Sequence, residues 1–183
     1  MKFTVEKKEI SEPLSLVSSV AEKRQSIPVL SNILLKAEDN KLTLIATDLE
    51  IELTFIVGNL QIETPGETTV SARKMADLIR SVPEDTILTF ELIENQLEIS
   101  ALKFFADFST LPVGDFPVIE QQEFELEVAL PGKELSSLIE NTSFAMASQD
   151  VRYYLNGVLL EVSPTQINVV ATDGHRLAWS SCK

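Results

Sequence analysis

Apolar positions follow two rhythms along the chain. An extended piece at residues 3–5 precedes Ile10, Leu14, Val17 and Val20, whose spacings of 4, 3 and 3 place them on one helical face. Residues 68–70 precede Met75, Leu78, Ile79 and Val82 in the same way, with Pro83 as the stop. Residues 124–130 precede Leu135, Leu138 and Ile139. Each is predicted to be a strand followed by a helix. Between them run short apolar or alternating stretches at 29–35, 42–46, 51–57, 87–92, 97–101, 104–108, 153–160 and 167–171. Glu38-Asp39-Asn40, Glu94-Asn95 and Ser163-Pro164 separate some of these, which suits antiparallel hairpins.

The chain also repeats itself. Shifted by 125 residues without a gap, Lys8, Glu9, Ser11, Ser18, Leu30, Leu34, Leu35, Ala46, Thr47 and Asp48 fall on identical residues from Lys133 to Asp173. Ten identities in fewer than sixty positions is roughly three times chance, the signature of a repeated structural unit. A weaker match at 65 sets Thr4-Val5 over Thr69-Val70, and Ile10, Leu14 and Val17 over Met75, Ile79 and Val82. The repeat is therefore one helix followed by about three antiparallel strands, an α+β arrangement. Two repeats at offset 65 make a first domain, 1–117. The stretch Leu111-Pro112-Val113-Gly114-Asp115-Phe116-Pro117 leads into a linker at 118–123, and 124–183 holds half of a second domain. A half-domain leaves a sheet edge and an apolar face uncovered, so the expectation is that the chain is part of a longer protein.

Composition narrows the function classes. Hydrophobic residues at 44% and charged residues at 23% are globular values, which excludes a wholly disordered chain. One Cys and one His supply neither an internal disulfide nor a Cys/His zinc site, and the expectation is no metal and no cofactor. The first twenty residues carry charge throughout, unlike a signal peptide, and no apolar stretch approaches a membrane span; a cytoplasmic protein is expected. The net charge of −13 argues against a globally basic nucleic-acid binder, but leaves room for a local basic lining. Lys7, Lys8, Lys23, Arg24, Arg73, Lys74, Arg80 and Lys133 cluster on or beside the three helices. They are either solvated helix faces or a repeated, weakly basic surface for a repeated polyanion.

Two segments stand out. Ala171-Thr172-Asp173-Gly174-His175-Arg176-Leu177 invites a catalytic reading, but no nucleophile is oriented by this spacing. An Asp-Gly turn closing a hairpin and a binding surface are the remaining readings. Gln149-Asp150-Val151-Arg152-Tyr153-Tyr154-Leu155-Asn156-Gly157 holds both tyrosines and an arginine, residue types favoured at interfaces. No phosphate-cradling loop, dinucleotide fingerprint or HExxH is present.

Taken with Met1-Lys2-Phe3-Thr4-Val5, Ile27-Pro28-Val29-Leu30-Ser31-Asn32, Ala46-Thr47-Asp48-Leu49-Glu50, Arg73-Lys74, Leu111-Pro112 and Asp115-Phe116-Pro117, these segments resemble the bacterial sliding clamp family, the β subunits of DNA polymerase III, over the whole chain. The resemblance implies a DNA-clamp fold and a non-enzymatic processivity factor: three-domain chains closing head to tail as a homodimer ring around duplex DNA. It implies DNA-side positions at Arg24, Arg73, Lys74, Arg80 and Gln149. It implies a pocket at Arg152, Tyr154, Leu155, Thr172, Gly174, His175, Arg176 and Leu177 for short linear motifs of polymerase subunits, the clamp loader and repair polymerases. Lys74, Phe104, Phe105 and Phe108 fall at the implied dimer interface, where Asp107 and a shifted aromatic pattern depart from the family. A peptide-binding scaffold without a DNA role and a hydrolase using Asp173 and His175 are the alternatives.

Overall fold

The computed structural model describes residues 1–21, 27–101, 104–119 and 127–183, which group into two compact units, Met1–Gln121 and Gln122–Lys183. In the first unit, strand β1 (Lys2–Glu6) runs directly into helix α1 (Lys7–Ser18). Strands β2 (Asn32–Glu38), β3 (Lys41–Thr47), β4 (Glu52–Val57), β5 (Gln61–Thr64) and β6 (Gly66–Ser71) follow. Helix α2 (Ala72–Ser81) and strands β7 (Ile87–Ile93), β8 (Gln96–Ala101) and β9 (Phe104–Ser109) complete it.

The strands form two antiparallel sheets, ordered β4-β3-β2-β6 and β5-β1-β7-β8-β9. Each half of the unit thus lends its first strand to the sheet of the other, β6 lying beside β2 and β1 beside β7. This exchange knits the halves around one core, in which Ile10, Leu14 and Val17 of α1 and Met75 and Ile79 of α2 are buried with the inward residues of the strands. Phe3 and Phe90, on adjacent strands, stack with ring centroids 4.7 Å apart. Such an offset pair adds about 1 kcal/mol to the burial of its rings.

Several sequence expectations shift in detail. Helix α1 ends at Ser18, so Val20 lies beyond it, and the Ser19 hydroxyl donates to the Leu16 carbonyl at 2.7 Å. The stretch 29–35 opens as a 3₁₀ turn, Pro28–Ser31, because proline fixes φ and has no N–H to give a sheet; the strand starts at Asn32. Strand β5 was invisible to the pattern, since Ile62 is its sole apolar residue and it sits at a sheet edge. The offset of 65 falls to 55 between the helices and the strands after them, because the connection from α2 to β7 is shorter than that from α1 to β2. That change of register is why the 65-residue match is weak.

The second unit comprises helix α3 (Gly132–Glu140), 3₁₀ turns at Ser143–Ala145 and Tyr153–Leu155, and a sheet of β10 (Leu159–Ser163), β11 (Gln166–Thr172) and β12 (Leu177–Cys182) in that order. Residues 127–130 form no strand, while 124–126 lie outside the described residues. Strand β12 lies beyond the last stretch that the apolar pattern predicts, which ends at Ala171.

The 125-residue repeat is structural. β11 and β12 occupy the positions of β3 and β4 residue for residue, the pair Thr47↔Glu52 becoming Thr172↔Leu177 and Leu34↔Ile45 becoming Leu159↔Val170. Burial differs sharply. Ile10, Leu14 and Leu35 are fully buried, whereas their counterparts Leu135, Ile139 and Leu160 are 38%, 40% and 52% exposed. The first unit covers that face with its second half; the described second unit holds one half only.

Candidate nucleic-acid and peptide interfaces

Helix α2 is cleanly two-sided. Ala72, Met75 and Ile79 face the core, and Arg73, Lys74, Asp77 and Arg80 face solvent. Arg80 in the last turn complements the negative end of the helix. Asp77 sits between the two arginines, 3.9 Å from Arg73 Nε and 3.1 Å from Arg80 Nη1, which tempers the positive field without cancelling it. Beside this face a groove of about 630 Å³ runs between α1 and α2, lined by Arg73, Lys74 and Arg80 on one side and by Ser15, Ser18, Ser19 and Ser31 on the other. The hydroxyls of Ser18, Ser19 and Ser31 donate to the carbonyls of Ala72, Leu16 and Pro28, so the three cations are the groups of this groove that meet phosphate oxygens, and the small serines leave room for a phosphate backbone to approach them. The serines were not singled out from sequence, although Ser15 and Ser19 lie off the apolar stripe.

The cations of α1 do not share this role. Lys7 is buried, its Nζ 2.7 Å from Glu84 Oε1, and Lys8 is paired with Glu6 at 2.6 Å. The reading of Lys7 as a solvated cation turned away from the apolar stripe is therefore corrected, while Lys8 is exposed as expected and its charge is met by Glu6. Lys7 falls on the buried side because α1 starts directly from β1 against the loop before β7, where its N–H donates to the Thr86 carbonyl. Arg24 lies outside the described residues. Gln149 is an exposed residue of the second unit with left-handed backbone, φ 56°.

The two segments of the second unit singled out from sequence meet in space. Thr172, Asp173 and Gly174 form the turn between β11 and β12, in which the Gly174 N–H donates to Thr172 Oγ1 at 3.0 Å and the Thr172 hydroxyl to the Arg176 carbonyl at 2.7 Å. Asp173 Oδ1 accepts from the His175 and Arg176 N–H groups, each at 2.9 Å, and Arg176 Nε donates to Oδ2. These backbone donors, with Arg176 behind them, hold the Asp173 carboxyl down at about 2. Its oxygens are thereby engaged in shaping the turn rather than in orienting the His175 ring, which leaves the hydrolase alternative without its dyad.

Arg152 ties the other segment to this turn. Its guanidinium grips Asp150 through Nε at 3.0 Å and Nη2 at 2.9 Å, which lowers the Asp150 carboxyl to about 2, and Nη2 also reaches the Asp173 carbonyl at 3.5 Å. A side chain at Gly174 (φ +89°) would place its Cβ 3.4 Å from Arg152 Nη1, so glycine there serves both the left-handed backbone and the close approach. Around this frame Tyr154 and Leu177 are exposed by 70% and 66%, and Leu155 is half-buried. His175 and Arg176 are exposed beside them. The result is an open apolar surface with a charged rim.

The turn recurs in the first unit. Leu49 N–H donates to Thr47 Oγ1, and the Glu50 and Ile51 N–H groups donate to Asp48 Oδ1. There Leu49 takes the left-handed place of Gly174, at φ 77°.

Phe104, Phe105 and Phe108 lie on β9, an edge strand whose far side is unpaired among the described residues. Phe108 packs on the core, Phe105 is 61% exposed, and Phe104 lines an apolar cleft with Val82, Pro83 and Ile87. Lys74 is not part of that cleft; it lines the serine groove.

Comparison with known proteins supplies a family. Residues 1–120 match the model of the DNA polymerase III beta subunit, N-terminal domain, and residues 129–183 that of its central domain. The chain is 48% identical to the beta sliding clamp of Pseudomonas putida over 99% of its length and 43% identical to that of Escherichia coli, spanning about half the length of these curated relatives (49% and 50%). Among solved structures, the DNA polymerase III subunit beta of Pseudomonas aeruginosa superposes with a TM-score of 0.95 at 46% identity, and the Caulobacter crescentus protein with 0.91 at 36%; both matches cover all of this chain and 50% of theirs. A second Pseudomonas aeruginosa structure, with a TM-score of 0.96, is of the sliding clamp bound to griselimycin. With the α+β architecture, the repeated turn and the match over both units in agreement, the chain belongs to the DNA polymerase III beta subunit family, the bacterial sliding clamps.

Proposed function

We propose that this chain forms part of a non-enzymatic processivity factor that holds DNA polymerase III and other DNA-processing proteins on duplex DNA. The observation that carries the reading is the likeness to clamp structures along the entire chain, TM-score 0.95 at 46% identity. In this reading residues 1–117 are the first clamp domain, 118–123 a linker and 124–183 the first half of the second. The longer form closes head to tail as a homodimer in the bacterial cytoplasm, with Phe104, Phe105 and Phe108 of the β9 edge and Lys74 at the junction.

Duplex DNA lies against Arg73, Lys74 and Arg80 of α2, with Arg24 and Gln149 as further contacts. A ring retains DNA by topology, so a few cations tempered by Asp77 suffice, and the remaining acidic surface repels DNA from the wrong faces. Short linear motifs of polymerase subunits, the clamp loader and repair polymerases dock on the surface of Arg152, Tyr154, Leu155, Thr172, Gly174, His175, Arg176 and Leu177. The exposed apolar side chains there, rimmed by charge, support this, as does the griselimycin complex of a relative.

The test is titration of duplex DNA at low salt, followed by nuclear magnetic resonance. Shifts centred on α2 and the serine groove and extending to Arg24 and Gln149, independent of DNA sequence and lost from α2 in an Arg73→Ala/Lys74→Ala/Arg80→Ala variant, are expected. A variant that binds as the parent does, or sequence-selective binding at physiological salt, would refute the DNA assignment.

A further inference from the structure

The loop between α3 and β10 is closed by one short side chain. Asn156 follows the 3₁₀ turn Tyr153–Leu155 and reaches back to the Asp150 backbone, where its Oδ1 accepts from the N–H at 3.0 Å and its Nδ2 donates to the carbonyl at 3.1 Å. This clasp needs an acceptor and a donor side by side, which an asparagine amide has and a carboxylate lacks. Asp150 in turn holds Arg152, whose Nη2 reaches the Asp173 carbonyl, so the clasp sets the station of Arg152 as well. The residue that follows is not demanded by the fold in the same way. Gly157 lies outside the left-handed region, a side chain there would meet nothing within 4 Å of its Cβ, and no described residue accepts from its N–H. Asn156-Gly157 is the one Asn-Gly sequence in the chain. A glycine nitrogen, with no side chain beside it, is the least hindered backbone nucleophile toward the amide that precedes it.

We infer that Asn156-Gly157 is a deamidation site guarded by its own clasp, whose reaction permanently opens the loop carrying Arg152, Tyr154 and Leu155. While the amide holds Asp150, both of its polar atoms are engaged, and it must leave them to turn onto Gly157; reaction therefore passes through a locally open loop. The Gly157 nitrogen then bonds to Asn156 Cγ, the Cγ–Nδ2 bond breaks, and ammonia leaves with the proton of the Gly157 N–H. Water adds to either carbonyl of the resulting cyclic imide and reopens it, releasing a proton and leaving an aspartate or an isoaspartate. Neither product restores the clasp. In the aspartate one oxygen still accepts from the Asp150 N–H, but the other faces the Asp150 carbonyl as a second acceptor. In the isoaspartate the main chain runs through Cβ, and the carboxylate on Cα is out of register with Asp150. The neighbouring Asp173-Gly174 is the contrast within the same surface. Its glycine N–H donates to Thr172 Oγ1 at 3.0 Å, and its carboxylate, ionised and taken by the His175 and Arg176 N–H groups, offers no leaving group. The chemistry at Asn156 is independent of what the surface binds.

The test incubates the intact chain under mildly alkaline conditions and follows each asparagine by peptide mass mapping, with enzymatic methylation of isoaspartate as a second readout. Conversion is expected at Asn156 ahead of every other asparagine, with none at Asp173. In urea it should be faster by on the order of tenfold or more, the effect of releasing two hydrogen bonds. Gly157→Ala, a change into open space, should suppress conversion in both conditions and leave the Asp150 and Arg152 amide resonances in place. Asn156→Asp, which reproduces one product, should shift those two resonances and speed hydrogen exchange at the Asp150 amide. Conversion at Asn156 no faster than elsewhere, equal rates in the folded chain and in urea, or conversion in urea alone overturns the inference. An Asn156→Asp chain whose Asp150 and Arg152 amides stay in place removes the opening of the loop and overturns it equally.

Discussion

Thr69→Val tests how the strap of residues 111–119, which follows β9 and carries Phe116, is fastened. The Thr69 side chain is fully buried, and its hydroxyl oxygen accepts from Asn32 Nδ2 at 3.0 Å and from the Leu111 N–H at 3.3 Å while donating to the Leu111 carbonyl at 2.9 Å. Valine keeps the shape and removes all three bonds. Leu111 is 38% exposed and recovers water as partner, so its loss is small. Asn32 is 5% exposed and keeps a stranded amide, which costs about 1–3 kcal/mol. The sum is about 2–3 kcal/mol, or roughly 8–12 °C in the melting temperature of a unit of this size. Thermal and urea unfolding read the stability, and hydrogen exchange at the Leu111 amide reads release of the strap. The double variant with Asn32→Ala should cost at least about 1 kcal/mol less than the two single changes added, because the stranded amide is then gone. A loss below about 0.5 kcal/mol, or strict additivity, would refute this account of the network.

Three further outcomes follow from the site geometry. A peptide of the Gln-Leu-x-Leu-Phe type should shift amides at 152–155 and 172–177, with its terminal Leu-Phe against Leu155 and Leu177; no shifts there at several millimolar would remove the pocket. The Asp173 carboxyl titrates at about 2 when folded against an ordinary 3.8, so its contribution to the turn is full above pH 4 and is lost as pH falls toward 2. His175 and Arg176 amide shifts followed from pH 5 to 2 should show that midpoint, and a midpoint near 4 would contradict the backbone bonds. Gly174→Ala should cost about 1 kcal/mol through its left-handed backbone and displace Arg152, whereas Leu49→Gly in the first-unit turn should be nearly neutral, strain relief offsetting unfolded-state entropy; unfolding midpoints of both variants decide it.

The amphipathic periods fixed α1, α2 and α3 to within a few residues, because a helix with one apolar face has one way to bury it. The hairpins were legible for the same reason, and the repeat was legible because Ala-Thr-Asp at 46–48 and 171–173 builds the same hydrogen-bonded turn twice. Three matters were decided only in three dimensions. Strand order was one: nothing local says that β6 lies beside β2 and β1 beside β7, since that pairing depends on where the two helices pack. The fate of individual cations was another, because whether Lys7 meets solvent or Glu84 depends on a loop 77 residues away. The last was coverage. Leu34 and Leu159 are identical residues at identical places in their repeats, and only the strap carrying Phe116 makes one of them core and leaves the other as surface.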